Sequence, residues 1–115
     1  MISIRTVTIT MPPLFRDLIT ASIARHGNVD VIAELDTRDA IEQRLQSLAP
    51  QLVLIGLGRG EGDAIGPALA RFVPNAKVIA FSSDGRHAFV HRMHQPREIL
   101  LDISPQQLID AVLDL

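Results

Sequence analysis

The sequence predicts an α/β domain: a doubly wound, five-stranded parallel sheet with helices on both faces. Three observations lead there. Short β-rich runs alternate with helix-period runs about every 20–25 residues. The stretch Leu52–Leu57 is apolar without interruption, as in strands covered on both faces. Proline or glycine punctuates the junctions. With 115 residues, 47% of them hydrophobic, the chain suits one domain over 1–115.

The elements follow in order. Ile2–Thr10 reads as a first strand, with Ile4, Val7 and Ile9 as β-formers and Pro12-Pro13 as its stop. Leu14, Phe15, Leu18, Ile19 and Ile23 fall at helical spacing, and Gly27 after His26 ends that helix. Val29–Leu35 is a second strand. Asp36 or Thr37 can cap a helix carried by Ile41, Leu45 and Leu48 and ended by Pro50. Leu52–Leu57 is the central strand. Ile65, Ala68, Leu69 and Phe72 mark a third helix, which tolerates Pro67 only in its first turn. Lys77–Phe81 is a fourth strand, Arg86–His94 a short helix and Ile99–Leu101 a fifth strand. Ser104, Pro105 and Gln107 form a capping box for a last helix that buries Leu108, Ile109 and Val112.

Composition excludes several functions. The formal charge is −2, with 11 basic and 13 acidic residues dispersed along the chain, so no phosphate-backbone grip on nucleic acid is expected from this domain. The chain has no Trp, Tyr or Cys, which removes base-stacking platforms, thiol chemistry and disulfides. No run approaches the ~20 apolar residues of a membrane span, and the N-terminus carries no signal pattern, so a cytoplasmic protein without membrane partners is expected.

Four segments then stand out: MPPLFRDLI after the first strand, APQLVLIGL around the third, PNAKVIAFSS at the fourth and LLDISPQQLIDAV at the end. In order and spacing they resemble the receiver domain of bacterial response regulators, in the branch that carries a helix-turn-helix output. The resemblance covers nearly the whole chain. It implies a flavodoxin-like fold with strand order 2-1-3-4-5. It also implies a set of positions: an acidic Mg²⁺-binding pair, a phosphoaccepting Asp, a hydroxyl and a Lys. These fall here on Thr10 and Met11, Gly56, Ser82 and Leu101. Only the hydroxyl is kept.

Aspartyl phosphorylation needs a carboxylate nucleophile, and Mg²⁺ needs hard oxygen ligands. Gly56, Met11 and Leu101 supply neither. The nearest acids, Glu61 and Asp63, lie beyond the strand end, where Asp63 reads as a helix cap. The expectation is a non-enzymatic pseudo-receiver that needs no cofactor and acts through protein partners, itself included, in regulating transcription. The resemblance places its dimer face on His91, Arg97, Glu98, Gln107 and Asp110, or on Arg16 and Thr20, with any output domain following Leu115. The alternative is a small-ligand sensor using the emptied pocket.

Two further features invite chemistry. Gly56, Gly58, Gly60 and Gly62 recur at every second position, which matches neither the dinucleotide fingerprint nor the P-loop, although an anion near Arg59 is conceivable there. His87, His91 and His94 would share one face of a helix, as a solvated polar face, a zinc site with Asp84 or a titrating patch. Ser82 and Ser83 lack a His and Asp arranged to activate them, so they read as strand-end hydrogen-bonders.

Overall fold

A computed structural model describes residues 3–13, 16, 17, 19, 21, 25 and 29–113. Its elements are β1 (Ile4–Ile9), β2 (Val29–Leu35), α1 (Ile41–Leu48), β3 (Leu52–Gly56), α2 (Ile65–Phe72), β4 (Lys77–Phe81), β5 (Ala88–His91), β6 (Glu98–Leu100) and α3 (Pro105–Leu113). The helix expected over Leu14–Ile23 lies largely outside the described residues. Of that stretch Arg16, Asp17, Ile19 and Ala21 are described, and all are helical.

The sheet order is β2-β1-β3-β4-β5-β6. Strands β1 to β4 run parallel, in register from Thr6 opposite Leu52 and Leu52 opposite Lys77. This half agrees with the sequence. Each strand of β3 and β4 is buried at every position, and its side chains alternate between two cores. Val53, Ile55, Val78 and Ala80 pack with Leu45 of α1 and Leu69 of α2 on one face. Leu52, Leu54, Ile79 and Phe81 pack with Leu108 and Val112 of α3 on the other. Burying each such Val, Leu, Ile or Phe side chain stabilises by about 1.5–3 kcal/mol.

The other half departs from expectation. Residues 88–91 form a strand, where a fourth helix was expected, and the sheet has six strands rather than five. Strand β5 runs antiparallel to β4, with Phe81 opposite Ala88 and Val78 opposite His91, and β6 runs antiparallel to β5. The connection explains the direction. Parallel neighbours need a crossover of a dozen or more residues, whereas Ser82–His87 is a tight turn. Ser82 and His87 close it, the Ser82 N–H donating to the His87 carbonyl at 3.0 Å, and Gly85 takes φ +73° within it. Asp84-Gly85 is a hairpin signal, and Ala88, Phe89 and Val90 alternate between the two cores as side chains of a strand do.

Local caps divide in the same way. Ser104 and Gln107 cap α3 reciprocally, the Gln107 N–H donating to Ser104 Oγ at 3.2 Å and the Ser104 N–H to Gln107 Oε1 at 2.9 Å. Pro67 sits within the first turn of α2, as expected. Asp36 and Thr37 do not cap α1, whose N-cap is Ala40 at φ 53°. Thr37 Oγ1 instead accepts the Asp39 N–H, and the chain turns once more before the helix starts. Asp63 does not cap α2 either; Ala64 holds that position without a side-chain cap, and Asp63 faces another partner. No helix among the described residues is long and apolar enough to cross a membrane.

Candidate functional site

The carboxyl ends of β1 and β3 meet at the rim where a doubly wound sheet presents its site. Gly56 ends β3 against the backbone of Thr10 and Met11. A Cβ at position 56 would lie 2.6 Å from the Thr10 carbonyl oxygen and 3.2 Å from the Met11 Cα, so no side chain fits there without a backbone shift. Thr10, at φ 47°, donates its N–H to the Leu35 carbonyl and its Oγ1–H to the Gly56 carbonyl at 3.0 Å. Met11 is buried beside them. The room a carboxylate would need is filled.

The same Gly56 carbonyl accepts a second hydrogen bond, from Arg38 Nη2 at 2.9 Å. Arg38 also grips Glu61 in a two-pronged ion pair, and Glu61 Oε1 accepts the Gly58 N–H at 2.7 Å. The Arg38 guanidinium, and after it the Gly58 N–H, hold the Glu61 carboxyl down at about 2, while Glu61 raises Arg38 in turn. The glycine turn is thereby tied to the loop after β2. Gly60 takes φ +74° within it, a conformation that suits glycine.

Ser82 belongs to the β4–β5 turn. Its hydroxyl donates to Asp84 Oδ1 at 2.6 Å and accepts the His87 N–H at 3.1 Å. That hydroxyl, and then the Arg86 N–H, lower the Asp84 carboxyl from its usual range. Leu101 is 65% exposed after β6. The three histidines do not share a face, because the segment is a strand between two turns. His87 Nδ1 accepts the Asp102 N–H at 3.4 Å, His91 is buried on Asp63, and His94 lies in the β5–β6 turn at φ 65°. No group of three His, Asp or Glu placed to hold a metal ion occurs among the described residues.

No family model matches the chain, and no curated protein matches it. Solved structures do. The signal receiver domain of the response regulator NarL from Mycobacterium tuberculosis superposes with a TM-score of 0.65 at 20% identity, over 99% of this chain and 96% of that one. The isolated REC domain of RcsB from Salmonella enterica serovar Typhimurium, solved with the phosphomimetic BeF₃⁻, superposes with a TM-score of 0.56 at 17% identity, over 97% and 71%. The fold is that of a receiver domain.

Within this receiver fold, the residues carried over for an interface separate. Arg97, Glu98, Gln107 and Asp110 are exposed. His91 is not available for one: its side chain is 5% exposed, with Nε2 2.6 Å from Oδ2 of Asp63, itself 3% exposed. Arg97 Nη1 stands 3.6 Å from the same oxygen, and its guanidinium lies over the Phe89 ring at 5.5 Å. Arg16 turns to Glu34 and Asp36 at 3.6 and 3.9 Å, and Thr20 lies outside the described residues.

The sequence reading missed Arg38 as the partner of Glu61 and His91 as the partner of Asp63. Gly66 carried a usable signal for the second. A Cβ there would lie 2.3 Å from His91 Nε2 and 2.9 Å from Asp63 Oδ1, so a glycine inside a helix marks a close approach.

Proposed function

We propose that this chain is a receiver-like signalling module that works without aspartyl phosphorylation, through contacts with protein partners that include a second copy of itself, as part of a transcription regulator. The observation that carries the reading is Gly56. Its absent side chain is the close-packing contact between β1 and β3, and its carbonyl is held by Thr10 and Arg38. Without a carboxylate nucleophile there is no acyl phosphate to form, and the nearest acid, Glu61, is committed to Arg38. The module is therefore non-enzymatic, governed by association.

The partner surface centres on β6, the sheet's edge. Ile99 and Leu101 expose 47% and 65% of their surface there, beside the charged pair Arg97-Glu98. An edge strand with exposed apolar residues invites strand or side-chain pairing. Gln107 and Asp110 extend the exposed polar surface along α3.

Two measurements test the reading. Incubation with acetyl phosphate and Mg²⁺ should leave the mass unchanged, and beryllofluoride should leave the amide spectrum unchanged; a phosphorylated aspartate would refute phosphorylation independence. Sedimentation equilibrium should give a reversible dimer that Leu101→Glu weakens tenfold or more. A mass that stays monomeric up to about 1 mM, roughly the weak limit of useful affinity, would refute self-association.

A further inference from the structure

The glycine turn after β3 holds a carboxylate in a donor set drawn from two loops. Arg38, in the loop after β2, donates through Nη2 to Glu61 Oε1 at 2.7 Å and through Nη1 to Glu61 Oε2. The Gly58 N–H donates to the same Oε1 at 2.7 Å, and Arg38 Nη2 also reaches the Gly56 carbonyl at 2.9 Å. A guanidinium fork and a backbone N–H thus converge on one carboxylate at the carboxyl rim of the sheet. Bidentate guanidinium and backbone N–H donors are the means by which proteins capture a ligand's carboxylate.

Here the captured carboxylate is the chain's own, on a segment built to move. Glu61 sits between Gly60 and Gly62, and Gly58 and Gly60 precede it on an exposed turn. A Cβ added at Gly60 or Gly62 would meet nothing within 4 Å, and one at Gly58 would meet only Glu61 itself. No packed side chain therefore blocks an outward swing of Glu61, and the glycines supply the backbone freedom for it. The Arg38 and Glu61 side chains are 30% and 31% exposed, so an outside carboxylate can reach the fork as Glu61 leaves.

We infer that Arg38 and the Gly58 N–H form a carboxylate-binding site that the chain keeps closed with its own Glu61. A ligand carboxylate takes the places of the two Glu61 oxygens and frees the glycine turn from the loop after β2. The class is carboxylate rather than phosphoryl, because all three donors address the two oxygens of one planar group and none is left for a third. Tethering gives Glu61 a high effective concentration, so the site stays closed to a weak acid and opens to a ligand that adds contacts of its own. The site depends neither on the reading of Gly56 as a lost phosphoacceptor nor on self-association.

The test is an acetate titration of Glu61→Ala and of the wild-type chain, followed by amide-resolved NMR at constant ionic strength. With the internal carboxylate removed, acetate should shift the Gly58 amide saturably, with a dissociation constant of about 0.1 M or tighter. The wild-type chain should bind about tenfold more weakly or less, because Glu61 competes. Glu61→Ala also loses the clasp, so its urea unfolding is followed in parallel; acetate should raise its midpoint and leave that of the wild type unchanged. Adding Arg38→Lys to Glu61→Ala keeps the charge but removes the fork, and should weaken acetate binding about threefold or more. A glutamate blocked at both ends that binds more tightly than acetate assigns the site to an acidic side chain of a protein; equal binding assigns it to small acids. Absence of a saturable Gly58 shift in Glu61→Ala, equal affinity in the wild type, no loss with Arg38→Lys, or inorganic phosphate binding more tightly than acetate would overturn the proposal.

Discussion

Replacing Glu61 by Gln removes one charge from the clasp between the glycine turn and Arg38 while keeping its shape. In the folded protein the Glu61 carboxyl is held at about 2, against 4.5 when unperturbed, chiefly by Arg38. At about 1.36 kcal/mol per pH unit, that difference sets a ceiling of about 3.4 kcal/mol. The two side chains are 30% and 31% exposed, so solvent screening cuts the figure, and about 1–2 kcal/mol is expected at pH 7. Because the folded-state value is depressed, the contribution is complete above the unfolded value of 4.5 and is lost as the pH falls towards 2. Urea unfolding of both proteins at pH 7, 5 and 3 measures it. The variant should be less stable by about 1–2 kcal/mol at pH 7, a fall in Tm of roughly 4–12 °C for a domain of this size. The gap should narrow between pH 5 and pH 3, and 0.5 M salt should shrink it at pH 7. A gap that stays constant from pH 7 to pH 3 would show that the charge pair contributes nothing and that the clasp is held by packing alone.

Four more substitutions have definite outcomes. Gly56→Ala should destabilise by about 1–3 kcal/mol, because the new methyl meets the Thr10 carbonyl; urea unfolding reads it, and Gly56→Asp should fail to restore phosphorylation for the same reason. Gly66→Ala should also destabilise, although alanine is favoured by about 1 kcal/mol inside a helix, because its Cβ enters the space of the buried His91 ring; a rise in Tm would refute the close approach. Ser104→Ala should cost about 1 kcal/mol through the lost cap of α3, visible as a lower urea midpoint with an unchanged slope.

How far the sequence could be read depended on how far apart the interacting residues lie. The unbroken apolar run at Leu52, the β-formers of β1 and β4, and the Ser104–Gln107 box act within a few residues. Periodicity and capping chemistry therefore identified them, and the position matched to a phosphoacceptor could be seen to hold glycine. The segment 86–94 was misread as a helix because its histidines and apolar residues fit either period over so short a span. The hairpin signal at Asp84-Gly85 and the shortness of the connection were the better evidence.

What the chain determined by itself was a doubly wound α/β domain with glycine at the end of its central strand, since hydrophobic alternation and residue identity are local properties. What tertiary structure alone decided was which charged groups meet. Arg38 reaches Glu61 across 23 residues and His91 reaches Asp63 across 28, and both depend on strand order. The antiparallel return of β5 buries one histidine of the row and brings the loop that follows, with its arginines, to face α2 across an open cleft. No pattern along the sequence encodes that meeting, because the free energy that holds it comes from packing the two cores rather than from the charged groups themselves.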